Sequence, residues 1–69
     1  MKSLFVELLD EGTEVWRPVQ AVEVRDGEYR IKGPVPIGEY WSFQPSSVVR
    51  AETRTFKDGQ ERLVAVQLA

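Results

Sequence analysis

The sequence predicts a small all-β domain, a barrel or roll of five to six antiparallel strands, and three observations predict it. The 69 residues hold two Asp-Gly pairs, Asp26-Gly27 and Asp58-Gly59, each between β-favouring stretches. Apolar residues alternate with polar ones over most of the chain, the period of a half-buried strand. A proline-rich centre, Gly33-Pro34-Val35-Pro36-Ile37-Gly38, interrupts the pattern where a helix would otherwise need room.

Leu4, Val6 and Leu8 alternate with Phe5, Glu7 and Leu9, which predicts a first strand that ends at Asp10-Glu11-Gly12-Thr13. Val15 to Val24 is long for one straight strand. Its apolar residues change parity between Val19 and Val22, so a bulge or bend is expected near Pro18. Asp26-Gly27, read as a two-residue hairpin turn with two positive φ angles, sets Arg25 against Glu28, Val24 against Tyr29, Glu23 against Arg30 and Val22 against Ile31. One face of that hairpin is then apolar and the other carries opposite charges in register.

The proline-rich segment is a loop. Tyr40 to Gln44 resumes a short strand, and Pro45-Ser46-Ser47 forms a turn, expected as one short 3₁₀ turn. Asp58-Gly59, read the same way as the first pair, sets Thr55 against Arg62, Thr53 against Val64, Ala51 against Val66 and Val49 against Leu68. Arg50, Glu52, Arg54, Glu61 and Gln67 then fall on the outer side, together with the apolar Phe56, Leu63 and Ala65.

A chain this short supports one core, so residues 1–69 are read as one domain. There is no cysteine, which suits a reducing, cytoplasmic compartment. No apolar stretch approaches the ~20 residues a bilayer span needs, so no membrane role is expected. Nine basic and eleven acidic residues give a net charge of -2 without a block of either sign, which disfavours general phosphate-backbone binding.

The absence of histidine and cysteine removes Ser-His and Cys-His nucleophile pairs and the common zinc-ligand sets. No glycine-rich phosphate loop occurs, and the carboxylates of Asp10, Glu11 and Glu14 lack the regular spacing of a calcium loop. The expected protein is therefore non-catalytic, without metal or cofactor.

Val15-Trp16-Arg17-Pro18-Val19-Gln20-Ala21-Val22, Asp26-Gly27-Glu28-Tyr29-Arg30-Ile31 and Trp41-Ser42-Phe43-Gln44-Pro45-Ser46-Ser47-Val48-Val49-Arg50 together resemble the SH3-like barrels of the Tudor, chromo-barrel and Agenet type. Glu11 to Val19 is also similar to a Glu-Gly-Thr-x-Val-Trp-Arg-Pro-Val segment of small bacterial proteins. The first resemblance implies an SH3-like barrel. It does not extend to the aromatic cage by which Tudor-type readers hold methylated side chains: only Trp16 matches a cage position, and Ile31-Lys32-Gly33 brings no further ring.

Three functional expectations follow. The first is a protein-interaction module that docks a protein or peptide through an aromatic surface of Trp16, Tyr40 and Trp41, near the proline loop. Tyr29 and Phe43 are assigned to the core. The second is a nucleic-acid-binding barrel that uses outward Arg17, Arg30, Lys32, Arg50 and Arg54. The third is a subunit or homodimer that covers Phe56, Leu63 and Ala65.

Overall fold

The computed structural model describes residues 1–68; Ala69 lies outside the described residues. Five strands, β1 (Lys2–Glu7), β2 (Trp16–Arg25), β3 (Glu28–Ile31), β4 (Val48–Thr55) and β5 (Glu61–Val66), close into a small all-β barrel without a helix among those residues. The architecture is that of a small SH3-like barrel. Each strand is antiparallel to its neighbour in sequence, so with five of them the first and last must run the same way. β1 and β5 accordingly meet in parallel, through the single pair Phe5 and Val64.

Alternation explains the core. Leu4 and Val6 from β1, Val19 and Ala21 from β2, Ile31 from β3, Val49 from β4 and Ala65 from β5 point inward, and Trp41 reaches the same cluster from the β3–β4 loop. Tyr29, Phe43, Leu8, Val35, Ala51 and Leu63 pack against it, so Tyr29 and Phe43 are structural as expected. Burial of such branched and aromatic side chains, at roughly 25 cal/mol per Å² of apolar area, is the main force that holds the fold.

β2 serves two neighbours. Its first half pairs with β1 in continuous register from Glu7 against Trp16 to Lys2 against Ala21, and its second half pairs with β3. Of the bulge or bend expected near Pro18, no bulge forms: the register with β1 runs unbroken through it. Pro18 sits opposite Phe5 on the part of β2 that β3 does not reach, where a missing donor costs little. The irregularity is instead at Val24, an extra residue between the pairs Glu23 with Tyr29 and Arg25 with Glu28. Only Gly27 of the turn has positive φ (79°), so the two-positive-φ turn does not form. The bulge moves every later pair by one: Val22 faces Arg30 and Ala21 faces Ile31. Val22 and Val24 therefore lie outside rather than on the inner face.

The second hairpin departs from expectation in the same direction. The Phe56 amide donates to Gln60 O (2.8 Å) and the Gly59 amide to Phe56 O (2.9 Å), with Gly59 at φ 83°. This is a three-residue loop, Lys57-Asp58-Gly59, with glycine in the left-handed position. Pairing becomes Thr55 with Glu61, Thr53 with Leu63 and Ala51 with Ala65. Leu63 and Ala65, expected outside, consequently face the core.

The β3–β4 connection, residues 32–47, contains no strand; Tyr40 to Gln44 contributes one isolated bridge, Trp41 with Leu8. Nor is there a 3₁₀ turn at Pro45–Ser47. The Ser47 amide donates to Gln44 O (3.1 Å) while Ser46 holds φ 76°, which is a type II turn with proline at its second position. The loop is pinned at its base by Ile31 and Ser47 and along its length by Leu9 N–H to Tyr40 O and Ser42 N–H to Glu7 O.

Candidate partner-binding surface

Because Leu4 and Val6 point inward, Phe5 between them points out. Glu7 pairs with Trp16 and Phe5 with Pro18, so all four share the outer face of β1 and β2. Phe56, at the mouth of the β4–β5 loop, completes the group. Its ring lies 5.7 Å from that of Phe5, nearly edge-on (72°), and 5.3 Å from that of Trp16, tilted by 43°. Such offset geometries are favoured by the ring quadrupole and contribute about 0.5–1.5 kcal/mol each beyond burial.

Two arginines lie over these rings. The Arg62 guanidinium is 4.8 Å from the Phe56 centroid and 5.6 Å from that of Phe5, and Arg54 is 5.3 Å from the Trp16 centroid. Arg62 is held there by a two-pronged ion pair with Asp58, 2.9 and 3.1 Å long. The Arg62 hydrogen bonds, helped by the Gln60 amide, hold the Asp58 carboxyl at about 2, below the usual carboxylate value of 3.8. Beside the rings opens a recess of about 450 Å³, whose rim also carries Glu14, Lys57 and Asp58. Trp16 Nε1 is shielded from solvent and has no hydrogen-bond partner among the described residues. An unpaired buried N–H is costly and uncommon.

The aromatic residues singled out from sequence do not converge. Trp16 is half-buried and lines the recess, whereas Tyr40 is exposed (60%) and lies on the far loop. Trp41 is only 4% exposed and belongs to the core, so it has no ring face to offer a partner. Its Nε1–H donates to Glu39 Oε1 (2.9 Å), which also accepts from Arg17 Nε (2.8 Å). Near the proline loop there is a smaller recess of about 220 Å³, lined by Pro34, Pro36, Arg17, Lys32 and the edge of Trp41.

The five cations proposed for nucleic acid are also dispersed. Arg17 pairs in register with buried Val6, so its stem follows the inner face and its head group is tied to Glu39. Arg30 and Arg50 point outward on β3 and β4, but Glu28 sits opposite Arg50 and is ion-paired with Arg25 (3.5 Å). Arg54 lies over Trp16, and Lys32 is exposed beside the proline loop. Of the residues assigned to a dimer surface, Phe56 alone remains outside.

Phe5 and Phe56 are the aromatic members of the site that sequence reasoning left out of it, along with the charged Arg62 and Asp58 beside them. Phe5 carried a signal in its alternation with Leu4 and Val6, and Phe56 in its apolar character on a polar side. Among the described residues no group of three or more Asp, Glu, His or Cys side chains is placed to hold a metal ion, and no helix is long and apolar enough to cross a membrane. In comparisons with known proteins, no family model, curated protein or solved structure matches the chain.

Proposed function

We propose that this chain is a non-catalytic, cytoplasmic interaction module that docks a segment of a protein partner on the recess formed by Phe5, Trp16 and Phe56. The observation that carries this reading is the placement of three large, half-buried rings on the outer face of the barrel, beside an open recess and apart from the main core cluster. Aromatic anchors set beside arginine are the side chains that contribute most at protein interfaces. The lack of histidine and cysteine supports the non-catalytic part.

Panning a random decapeptide library against the chain, followed by amide shift mapping of the selected peptides, tests the proposal. Selected peptides are expected to move the resonances of Phe5, Trp16 and Phe56, and Trp16→Ala is expected to weaken them by about 2 kcal/mol, or thirtyfold. Peptides that instead move Tyr40 and the Pro34–Pro36 loop would place the docking surface elsewhere.

A further inference from the structure

β4 is covered unevenly by its two neighbours. β5 pairs with it from Arg50 to Thr55, whereas β3 reaches only Val48, Val49 and Arg50, so among the described residues no strand lies along its second edge past Arg50. Hydrogen bonds at the two ends of the strand show which residues face that edge. Ser47 O accepts from the Ile31 amide of β3, and the Phe56 amide donates to Gln60 O, just ahead of β5. Backbone groups alternate sides along an antiparallel strand, so the odd-numbered residues turn toward the β3 side and the even-numbered ones toward β5. Ala51, Thr53 and Thr55 consequently present their N–H and C=O groups at the uncovered edge, where residues 52–55 are exposed.

An open edge is a template for another strand unless its charges oppose pairing. Here the charges select a partner. Ala51 packs toward the core, so Glu52 and Arg54 project from the outer face on either side of Thr53, and neither has an ion pair among the described residues. When this stretch is set antiparallel to a second copy of itself about Thr53, Glu52 falls opposite Arg54 of the second copy, and Arg54 opposite its Glu52. Both are positions without backbone hydrogen bonds, where Cα atoms approach to about 4.5 Å and opposite charges stabilise the ladder. Thr53 then exchanges two backbone hydrogen bonds with its counterpart, and Ala51 exchanges two with Thr55 at each end, about six in all. Arg54 lies 5.3 Å from the Trp16 centroid, and a guanidinium stacked on a ring keeps the N–H groups of its rim for a carboxylate.

Neighbouring registers are excluded. Moving the two-fold axis to Glu52 or to Arg54 opposes that residue to its own copy, like charge to like. Moving it to Ala51 drives the copy into β3 at Val49, and moving it to Thr55 sets Glu52 against Asp58.

We infer that the uncovered edge of β4 pairs antiparallel with the same edge of a second copy of this chain, centred on Thr53, and joins two barrels through one sheet in the order β5, β4, β4, β5. The pairing needs nothing of the aromatic recess and so goes beyond the docking function proposed above. Residues 51–55 of each copy make a smaller interface than that of ordinary stable complexes, so the dimer is weak and is populated at high protein concentration.

Sedimentation equilibrium of the full chain, from micromolar to millimolar concentration, is expected to show a monomer-dimer equilibrium. A sample mixed from ¹³C-labelled and unlabelled chain is expected to give an intermolecular nuclear Overhauser effect between the Hα protons of Glu52 and Arg54, which are too far apart within one extended strand to produce it. Glu52→Arg alone and Arg54→Glu alone should each weaken association about tenfold, while the two single variants mixed in equal amounts, and the variant that carries both changes, should associate again. Amide spectra at low concentration check that each variant is folded. A monomer at every concentration would overturn the inference and leave the edge to an extended segment of another protein. A dimer that Glu52→Arg leaves intact, or single variants that fail to associate when mixed, would overturn it as well. None of these results bears on whether peptides bind beside Trp16.

Discussion

Glu39 Oε1 accepts from the Arg17 side chain and from the buried indole of Trp41, so one carboxylate oxygen fastens the long loop to the barrel. Glu39→Ala leaves the Trp41 donor buried and unpaired and is expected to cost about 1–3 kcal/mol, read by urea denaturation; Glu39→Gln retains an acceptor and should cost less. Gly33 is another single-residue constraint. A Cβ there would lie 2.8 Å from Pro45 Cγ, so Gly33→Ala must push apart two segments of the same loop, and a loss of about 1–3 kcal/mol is expected. Asp58 adds a pH dependence of definite sign. Its carboxyl is held at about 2 in the folded chain, below 3.8, chiefly by Arg62, so the stabilisation is complete above the higher value and disappears as pH falls through the lower. The exposed Asp58→Asn variant should lose the part of the acid transition that falls in this window, which thermal melts at stepped pH would detect.

Among the elements, the five strands were legible, a further one expected at Tyr40 to Gln44 is only an isolated bridge, and the turns were not legible. Alternation in Leu4 to Leu9 marks β1 and its buried face, and the two Asp-Gly pairs mark both hairpins. What sequence could not supply was the φ angle of each aspartate. Asp-Gly suits both a two-residue turn and a three-residue loop that ends in a left-handed glycine, and the choice alters register by one position. That ambiguity sent Leu63 and Ala65 outward on paper when they face inward in the fold, whereas in the first hairpin the unforeseen bulge at Val24 paired Ala21, not Val22, with Ile31. Gly59 decides the matter in the second hairpin: at φ 83° a side chain is strained, so Gly59→Ala is expected to cost about 1–2 kcal/mol even though a Cβ there meets no neighbour. Gly59→Asn, which tolerates the left-handed region better, should recover part of the loss.

At the scale of the whole molecule, the candidate site depends on closure, which no local pattern announces. Phe5, Trp16 and Phe56 come from β1, β2 and the β4–β5 loop, and they meet only because β5 returns to β1. Each ring could be assigned to the outer face from its own neighbours, but their meeting could not. Closure is also the least secured joint: six register pairs join β1 to β2 and six join β4 to β5, whereas one joins β1 to β5. Amide exchange along that seam, at Leu63 and Ala65, is expected to be faster than at Val19 and Ala21, measured in the same experiment. The parallel sense of the seam has a further, geometric effect. Because β1 and β5 point the same way, Lys2 and Val66 leave from opposite poles of the cylinder. Copies or fused domains joined head to tail would string out along a common axis instead of doubling back, and a circularly permuted variant would need a tether about 20 Å long, the length of a six-residue strand, to span the barrel's side.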